Sequence, residues 1–246
     1  MLWRCRGGYH IRFIYFCLNN NRLDARPVIL GIRPAYLVDS VILFEDEIEE
    51  LRDALQKRSS DLLILQLGED FLVAHRNLLR DLLEDYIAGR YQVILIDFSS
   101  LKPCPSSTDE SLKNLSNILV ALLRDDATLV KIPYSAVSLP AIAGLLLSYP
   151  VVYHCDFEGE LQNNAEVVVF SIYPSASKTK KLMQFSCPRD LSDGASEMLE
   201  RTAANWELRI NQLSDSHRRE WREFVGTEDN NLHIESHAQT VAGMAL

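Results

Sequence analysis

Residues 144–156 hold the feature that most constrains the fold, an apolar helix that leads directly into a strand. Residues 144–147 are apolar, and the helix must stop near Pro150 because proline cannot continue it. The next segment, residues 151–155, has the length of a strand and is followed by Asp156. Such a helix-to-strand joint is typical of α/β proteins, in which helices pack against a sheet.

Strand and helix patterns alternate along the first two thirds of the chain. Short apolar runs predict strands, and apolar residues at helical spacing predict helices. We expect strands at residues 35–38, 62–67, 93–96, 128–132 and 151–155, with helices at residues 45–58, 77–88, from Ser107 to Leu123, and at 139–147. Residues 71–74 are expected to form a short hairpin partner for the strand that ends before Gly68. Two further strands, residues 166–173 and 182–187, are separated by a loop alone and are expected to be antiparallel, and a final helix is expected near residues 191–213.

Several helix ends carry their own signals. Residues 45–58 begin with three acidic residues and end with two basic ones, which suits the helix dipole. Ser107 and Glu110 have the spacing of a capping box, and Ser138 is expected to cap the helix after it. Trp206 is interpreted as a core anchor, whereas Trp221 is interpreted as an aromatic residue that is either buried or exposed for a partner.

These elements predict one α/β domain with three layers. Its sheet is expected to be mixed and mostly parallel, flanked by helices, with an antiparallel strand pair in the C-terminal half. A chain of 246 residues suits a single domain of this kind. We place the domain at residues 27–225, a divergent or poorly ordered leader at residues 1–26, and a polar tail at residues 226–246.

The composition excludes several classes of protein. A net charge of −9 argues against nucleic acid as a partner, because phosphate binding needs clustered lysine and arginine. No apolar run is long enough to span a membrane. Five cysteines without a C-x-x-C pair favour a reducing compartment, so we expect a cytoplasmic protein. An arginine-rich start that lacks acidic residues before Asp24 leaves an organellar transit segment as the alternative.

Three predicted strands end in an acidic residue: Asp39, Asp97 and Asp156. Sites in open α/β sheets gather beyond the carboxyl ends of the strands. If these strands are neighbours, their carboxylates converge and can hold a hard cation such as Mg²⁺, with Ser99 and Ser100 adding hydroxyl groups. The alternative is that these residues only form turns and cap helices.

Two histidine-containing segments are weaker candidates. His154, Cys155 and Asp156 have the residue types of a thiol nucleophile, but alternate residues of a strand face opposite sides, so Cys155 points away from the other two. His233 and His237 have the spacing of metal ligands on a helix, but a solvated tail is the simpler interpretation. The chain has no phosphate-binding glycine loop, and no cofactor or metal is predicted.

Six short segments carry a family resemblance over residues 28–246. They are Gly31 to Ala35 with Leu37 and Asp39, Ile64 to Glu69, Ile96 to Ser100, Gly144 to Leu147 with Tyr149, Pro150, Val151 and Tyr153, Phe185 and Ser186 with Pro188, and Val241 to Leu246. In their order and spacing the chain resembles a family of uncharacterised animal proteins named for an open reading frame on human chromosome 1. The resemblance implies no activity, ligand or catalytic residue.

Two functions remain open from the sequence. The first is a non-catalytic protein that acts through a protein partner or a small ligand, which the lack of any sharp catalytic motif favours. The second is an enzyme for metal-assisted hydrolysis or phosphoryl transfer that uses Asp39, Asp97, Ser99 and Asp156.

Overall fold

A computed structural model describes residues 25–38, 43–98, 100–133, 136–155, 165–174, 180–227 and 230–241. Its helices are α1 (Arg26–Ile29), α2 (Glu45–Arg58), α3 (Arg76–Ile87), α4 (Ser106–Leu122), α5 (Leu139–Leu146), α6 (Ser192–Asn211) and α7 (Asp215–Val225), with a 3₁₀ turn at Arg189–Leu191. Its strands are β1 (Ala35–Val38), β2 (Leu62–Leu67), β3 (Asp70–His75), β4 (Ile94–Asp97), β5 (Lys102–Pro103), β6 (Leu129–Lys131), β7 (Val151–His154), β8 (Ala165–Tyr173), β9 (Met183–Pro188) and β10 (His233–Val241).

The described strands form three sheets, with the orders β1-β3-β2-β6, β5-β4-β7 and β10-β8-β9. The alternation of strands and helices is confirmed, and the protein has an α/β fold. Two of the seven strand pairs are parallel, β2 with β6 and β4 with β7. The expectation of mostly parallel strands therefore does not match the described sheets.

Hairpins explain this difference. The short segment after Gly68 forms β3, which folds back on β2 and lies between β2 and β1. The segment after β4 returns as β5 and pairs with it antiparallel. Because a hairpin needs only a short turn, local antiparallel pairs form wherever a strand is followed by another short apolar run.

Both faces of the first sheet are buried. On β2, Leu63 and Leu65 face a core shared with α3, α4 and α5, whereas Leu62 and Ile64 face a separate core with α2. This alternation follows from the period of two along a strand. A third core lies between the β8–β9 pair and the helices α6 and α7.

The tryptophans anchor this third core. Trp206 is 1% exposed on α6, as expected, and the Arg33 guanidinium lies 5.2 Å from its ring centre. Trp221 on α7 is completely buried and its ring packs on Phe224. Exposure of Trp221 for a partner is therefore wrong, because α7 is amphipathic and presents its apolar face to the core.

One predicted helix start is also wrong. Helix α4 begins at Ser106, directly after Pro105, so Ser107 lies inside the helix. There its carbonyl accepts a hydrogen bond from Ser111, and no capping box forms with Glu110. A proline before the first turn fixes the backbone angle that the helix needs, which moves the start one residue earlier than the serine signal.

The C-terminal segment contains a strand that the sequence patterns do not predict. Residues 233–241 form β10, which pairs antiparallel with the whole of β8. His233 and His237 therefore lie on a strand, and the helical metal-ligand geometry does not apply to them. None of the described helices is both long and apolar enough to cross a membrane.

Candidate functional site

A cavity of about 470 Å³ opens at the carboxyl ends of β2, β6 and β7. We call it the strand-end crevice. Its walls are mostly apolar and include a few polar groups. The described residues that line it are Gln66, Leu67, Gly68, Lys131, Ile132, Pro133, Ala136, Val137, Ser138, Leu139, Ile142, His154 and Cys155. The carboxyl edge of an α/β sheet is where such proteins bind their ligands.

A larger depression of about 720 Å³ lies along α7, but its chemistry differs. Charged side chains of both signs line it, among them Asp215, Arg219 and Glu223. It is an open trough between solvated side chains of one helix. Small-molecule sites are usually concave and mostly apolar, with a few placed polar groups. The strand-end crevice is the better candidate because it is deeper and more apolar than the trough.

Ser138 lies where α5 begins and connects this helix to β7. It precedes the helix as its N-cap residue, yet its hydroxyl makes no hydrogen bond to an N–H of α5. Instead the Cys155 N–H donates to Ser138 Oγ over 3.2 Å. The Ser138 N–H donates to His154 Nδ1 over 3.2 Å, and Ser138 Oγ lies 3.2 Å from the same nitrogen. The cap residue is thereby fixed against the end of the neighbouring strand.

These contacts define the state of the His154 ring. A backbone N–H can only donate, so Nδ1 must accept and the ring proton of the neutral side chain lies on Nε2. The single lone pair of Nδ1 is shared between the Ser138 amide and hydroxyl. A general base for a serine nucleophile needs that lone pair for the hydroxyl proton. The arrangement therefore fits a structural and ligand-facing pair better than a catalytic dyad.

Gly68 and Leu139 also line the crevice and lie close to each other. Gly68 has a φ of +63°, a conformation that favours glycine, and a Cβ placed there would lie 3.2 Å from Leu139 Cδ1. The Gln66 side chain donates to the Gly68 carbonyl over 3.2 Å and fixes the turn. Leu139 is 38% exposed, so its side chain lies at the mouth of the cavity.

The two faces of β7 have different roles. His154 faces the crevice, whereas Tyr153 faces the third core, where its hydroxyl donates to the Ser186 carbonyl over 3.1 Å. Burial raises the pKa of Tyr153 to about 12, so this phenol stays neutral. Cys155 and His154 are both half-buried. Both residues line the crevice. Strand β7 ends at His154, so the alternation of faces along a strand does not extend to Cys155.

Asp97 is the one member of the predicted carboxylate set that lies in the described part of the chain. It pairs in register with His154 across the parallel β4–β7 ladder. Ser100 donates its hydroxyl to the Asp97 carboxylate over 3.0 Å, as expected of a polar turn after a strand. Asp97 therefore lies at the same edge of the molecule as the strand-end crevice.

The rest of that set lies outside the described residues: Asp39, Ser99 and Asp156. The strands that precede the three aspartates do not all lie in one sheet. β4 and β7 are parallel neighbours, as the site requires, but β1 pairs with β3 in another sheet. Among the described residues there is no group of three or more His, Cys, Asp or Glu side chains that is arranged to hold a metal ion.

Sequence reasoning missed the contribution of Ser138. A serine before an apolar helix predicts a helix cap, and the sequence gives no sign that the hydroxyl turns to another strand. The signal that locates the crevice is the joint of α5 and β7, because the polar end of β7 must lie next to the start of α5 when the two elements are antiparallel.

An α/β protein with a strand-end crevice is the class that the fold and site define. Residues 20–225 match the family model described as "Domain of unknown function (DUF4504)", and the chain belongs to that family. No curated protein and no solved structure gave a significant match.

Proposed function

We propose that the protein binds a small organic molecule in the strand-end crevice. One observation carries this proposal: a cavity of about 470 Å³ has mostly apolar walls, and Ser138 and His154, which are hydrogen-bonded to each other, are among its polar lining residues. Ligand sites of proteins are commonly 300–1,000 Å³, mostly apolar, with a few placed polar groups. Leu67, Ile132 and Ile142 supply apolar contact, and the fixed polar pair supplies orientation.

Filling the crevice tests the proposal. Ala136 lines the cavity and is exposed, so Ala136→Trp adds a large ring there with little demand on the core. Ala204 is exposed on α6, outside the crevice lining, and Ala204→Trp is the matched control. A fragment library screened by saturation-transfer NMR is expected to give ligands that bind the wild-type protein and A204W but not A136W. Hits that bind all three proteins equally would contradict the proposal.

The wider organisation belongs to the same proposal. We infer a cytoplasmic protein whose residues 27–225 form a single three-layer domain, with a leader at residues 1–26 and a C-terminal segment at residues 226–246 that adds β10 to the β8–β9 pair of that domain. Helices on both faces of the first sheet support the layering. The net charge of −9 supports a partner other than nucleic acid, and free cysteines support a reducing compartment.

A second candidate function is metal-assisted hydrolysis or phosphoryl transfer at Asp39, Asp97, Ser99 and Asp156. The register of Asp97 with His154 favours it, because this register brings the Asp97 strand end to the edge where the crevice opens. A hard cation held there would activate a water or polarise a phosphoryl oxygen.

Metal-dependent stability tests this candidate. A ligand that binds only the native state raises the melting temperature by mass action. Mg²⁺, Mn²⁺ or Zn²⁺ should raise the melting temperature of the wild-type protein but not the melting temperature of the Asp97→Asn variant. Equal shifts, or no shift in either protein, would remove the metal-assisted candidate and leave the crevice proposal intact.

A further inference from the structure

Strand β10 is the edge of the β10-β8-β9 sheet, and it lacks the usual protection of an edge. Among the described strands it pairs with β8 alone. It is nine residues long, and its sequence, HIESHAQTV, contains no proline, lysine or arginine. Monomeric proteins commonly shorten an edge strand or place such residues on it, because an open edge pairs with other strands.

The C-terminal half of β10 is also open to solvent on both faces. Residues 236–240 are exposed, although their backbone is paired with β8 residues of the core sheet. Ile234, on the same face as Ser236 and Ala238, is 37% exposed. A regular strand gains little from pairing when neither of its faces is covered. A strand that pairs with the free edge of β10 would add backbone hydrogen bonds, and it would add cross-strand side-chain contacts on each face.

We propose that β10 pairs antiparallel with β10 of a second copy of this chain. Two identical strands can pair this way only in certain registers. Along one edge of a strand, the N–H and C=O groups of every second residue point outward. Because both strands use the same edge, two facing residues must both have odd numbers or both have even numbers. At the centre of the pair, one residue therefore faces its own copy on the second strand. We name each possible two-fold axis by that central residue.

Side chains and strand overlap together select one axis. An axis through Ile234 pairs Glu235 with His233 of the second copy, but it overlaps the two strands over residues 233–235 alone, whereas an axis through Ser236 overlaps them over residues 233–239. An axis through Glu235 places that carboxylate opposite its own copy, which is repulsive. An axis through His237 places two imidazoles opposite each other. An axis through Ser236 places Glu235 opposite His237 of the second copy, and by symmetry this contact occurs twice.

The same axis matches the other face of the strand. It sets Ile234 opposite Ala238 of the second copy, again twice, and it sets Ser236 opposite its own copy. Directly opposed side chains of an antiparallel pair share a face and lie about 5 Å apart at Cβ. Glu235 therefore faces His237 on one face of the strand, and Ile234 faces Ala238 on the other. This complementarity of the strand with itself favours a second copy of the chain as the partner of β10.

A charge swap across the axis tests this register. His237→Glu places carboxylates opposite each other at two positions, and we expect the dimer to weaken about tenfold or more. The double variant Glu235→His/His237→Glu restores both acid–imidazole pairs with their order reversed, and it should recover the association. Ile118→Glu adds the same charge at a residue that is 50% exposed on α4, and it should have no effect.

Sedimentation velocity over a concentration series is the measurement, with circular dichroism to show that each variant is folded. The proposal expects a dimer for the wild-type protein, I118E and the double variant, and a shift to monomer for H237E. It is overturned by a wild-type protein that stays monomeric, by H237E associating as the wild type does, or by a double variant that fails to recover.

Discussion

The crevice end of β7 and the inner face of the β8–β9 pair each carry a cysteine, but the surroundings of the two thiols differ. Cys155 is half-buried and lines the strand-end crevice. Cys187, on β9, is completely buried in the core shared with α6, and burial raises its pKa to about 12. The end of β7 carries polar groups that line a cavity, whereas the inner face of the β8–β9 pair is apolar and packs against a helix.

This difference separates the part of the molecule that maintains the fold from the part that is available for function. At the β8–β9 face, buried side chains such as Trp206 and Phe185 pack against each other in one apolar core. At the crevice, Ser138 precedes the first turn of α5 and is hydrogen-bonded to His154 at the end of β7, with a cavity beside them. Substitutions in the two regions should therefore have different consequences.

The largest expected contrast is in stability. Trp206→Ala removes a fully buried indole from the third core and should lower the free energy of unfolding by about 3–5 kcal/mol. Leu139→Ala at the mouth of the crevice should cost less than about 1 kcal/mol, because the side chain is 38% exposed. Urea unfolding measures both, and equal losses would contradict the division into two regions.

The thiols give the next contrast. At mildly alkaline pH, a cysteine of pKa about 12 has a thiolate fraction on the order of 1,000-fold below that of an ordinary thiol. We expect iodoacetamide to modify Cys155 in the native protein and to leave Cys187 unmodified, with mass spectrometry of peptides as the readout. In urea, both should react. Rapid native modification of Cys187 would show that the sheet face is open.

A smaller effect compares the two serines that flank α5. Ser138 has partners for its hydroxyl, but Ser148 has a φ of +57°, and its buried hydroxyl has no hydrogen-bond partner within the described part of the chain. Ser148→Gly should raise the free energy of unfolding by about 1 kcal/mol, since glycine adopts this left-handed conformation without strain. Ser148→Ala keeps the strain and should gain less. A loss of stability in S148G would contradict the assignment of strain to this residue.

The smallest effect concerns His75 at the end of β3. Burial lowers its pKa from the ordinary value of 6.5, so the unfolded chain binds a proton more readily than the folded one. Its contribution to stability is therefore complete above about pH 7 and decreases as the pH falls through 6.5 towards the lower folded value. His75→Gln should flatten this part of the pH dependence in urea titrations, and an unchanged pH profile would assign it to other groups.

Local signals explain which elements could be predicted from the sequence. Helix α2 runs from Glu45 to Arg58, as its charged ends predict, and the joint between α5 and β7 lies where Pro150 requires it. These features depend on residues close in sequence, such as a dipole, a proline or an apolar stripe. The same holds for Trp206 as a core residue.

Long-range pairing explains what could not be predicted. The pairing of β3 with β1, and the pairing of β10 with β8, depend on partners far along the chain. The contact of Ser138 with His154 is another example. A serine before a helix predicts the start of the helix, but it does not predict which strand end the tertiary fold places beside that serine. For the same reason, three acidic strand ends in a sequence do not define which strands are neighbours.

The most direct test of the strand-end crevice as a ligand site is a titration of the best fragment into ¹⁵N-labelled protein. The account predicts that amide shifts concentrate at Leu67 and Gly68, at Val137 to Leu139, and at His154 and Cys155, and that they vanish in A136W. Shifts that instead map to the charged trough along α7, or that persist in A136W, would contradict it.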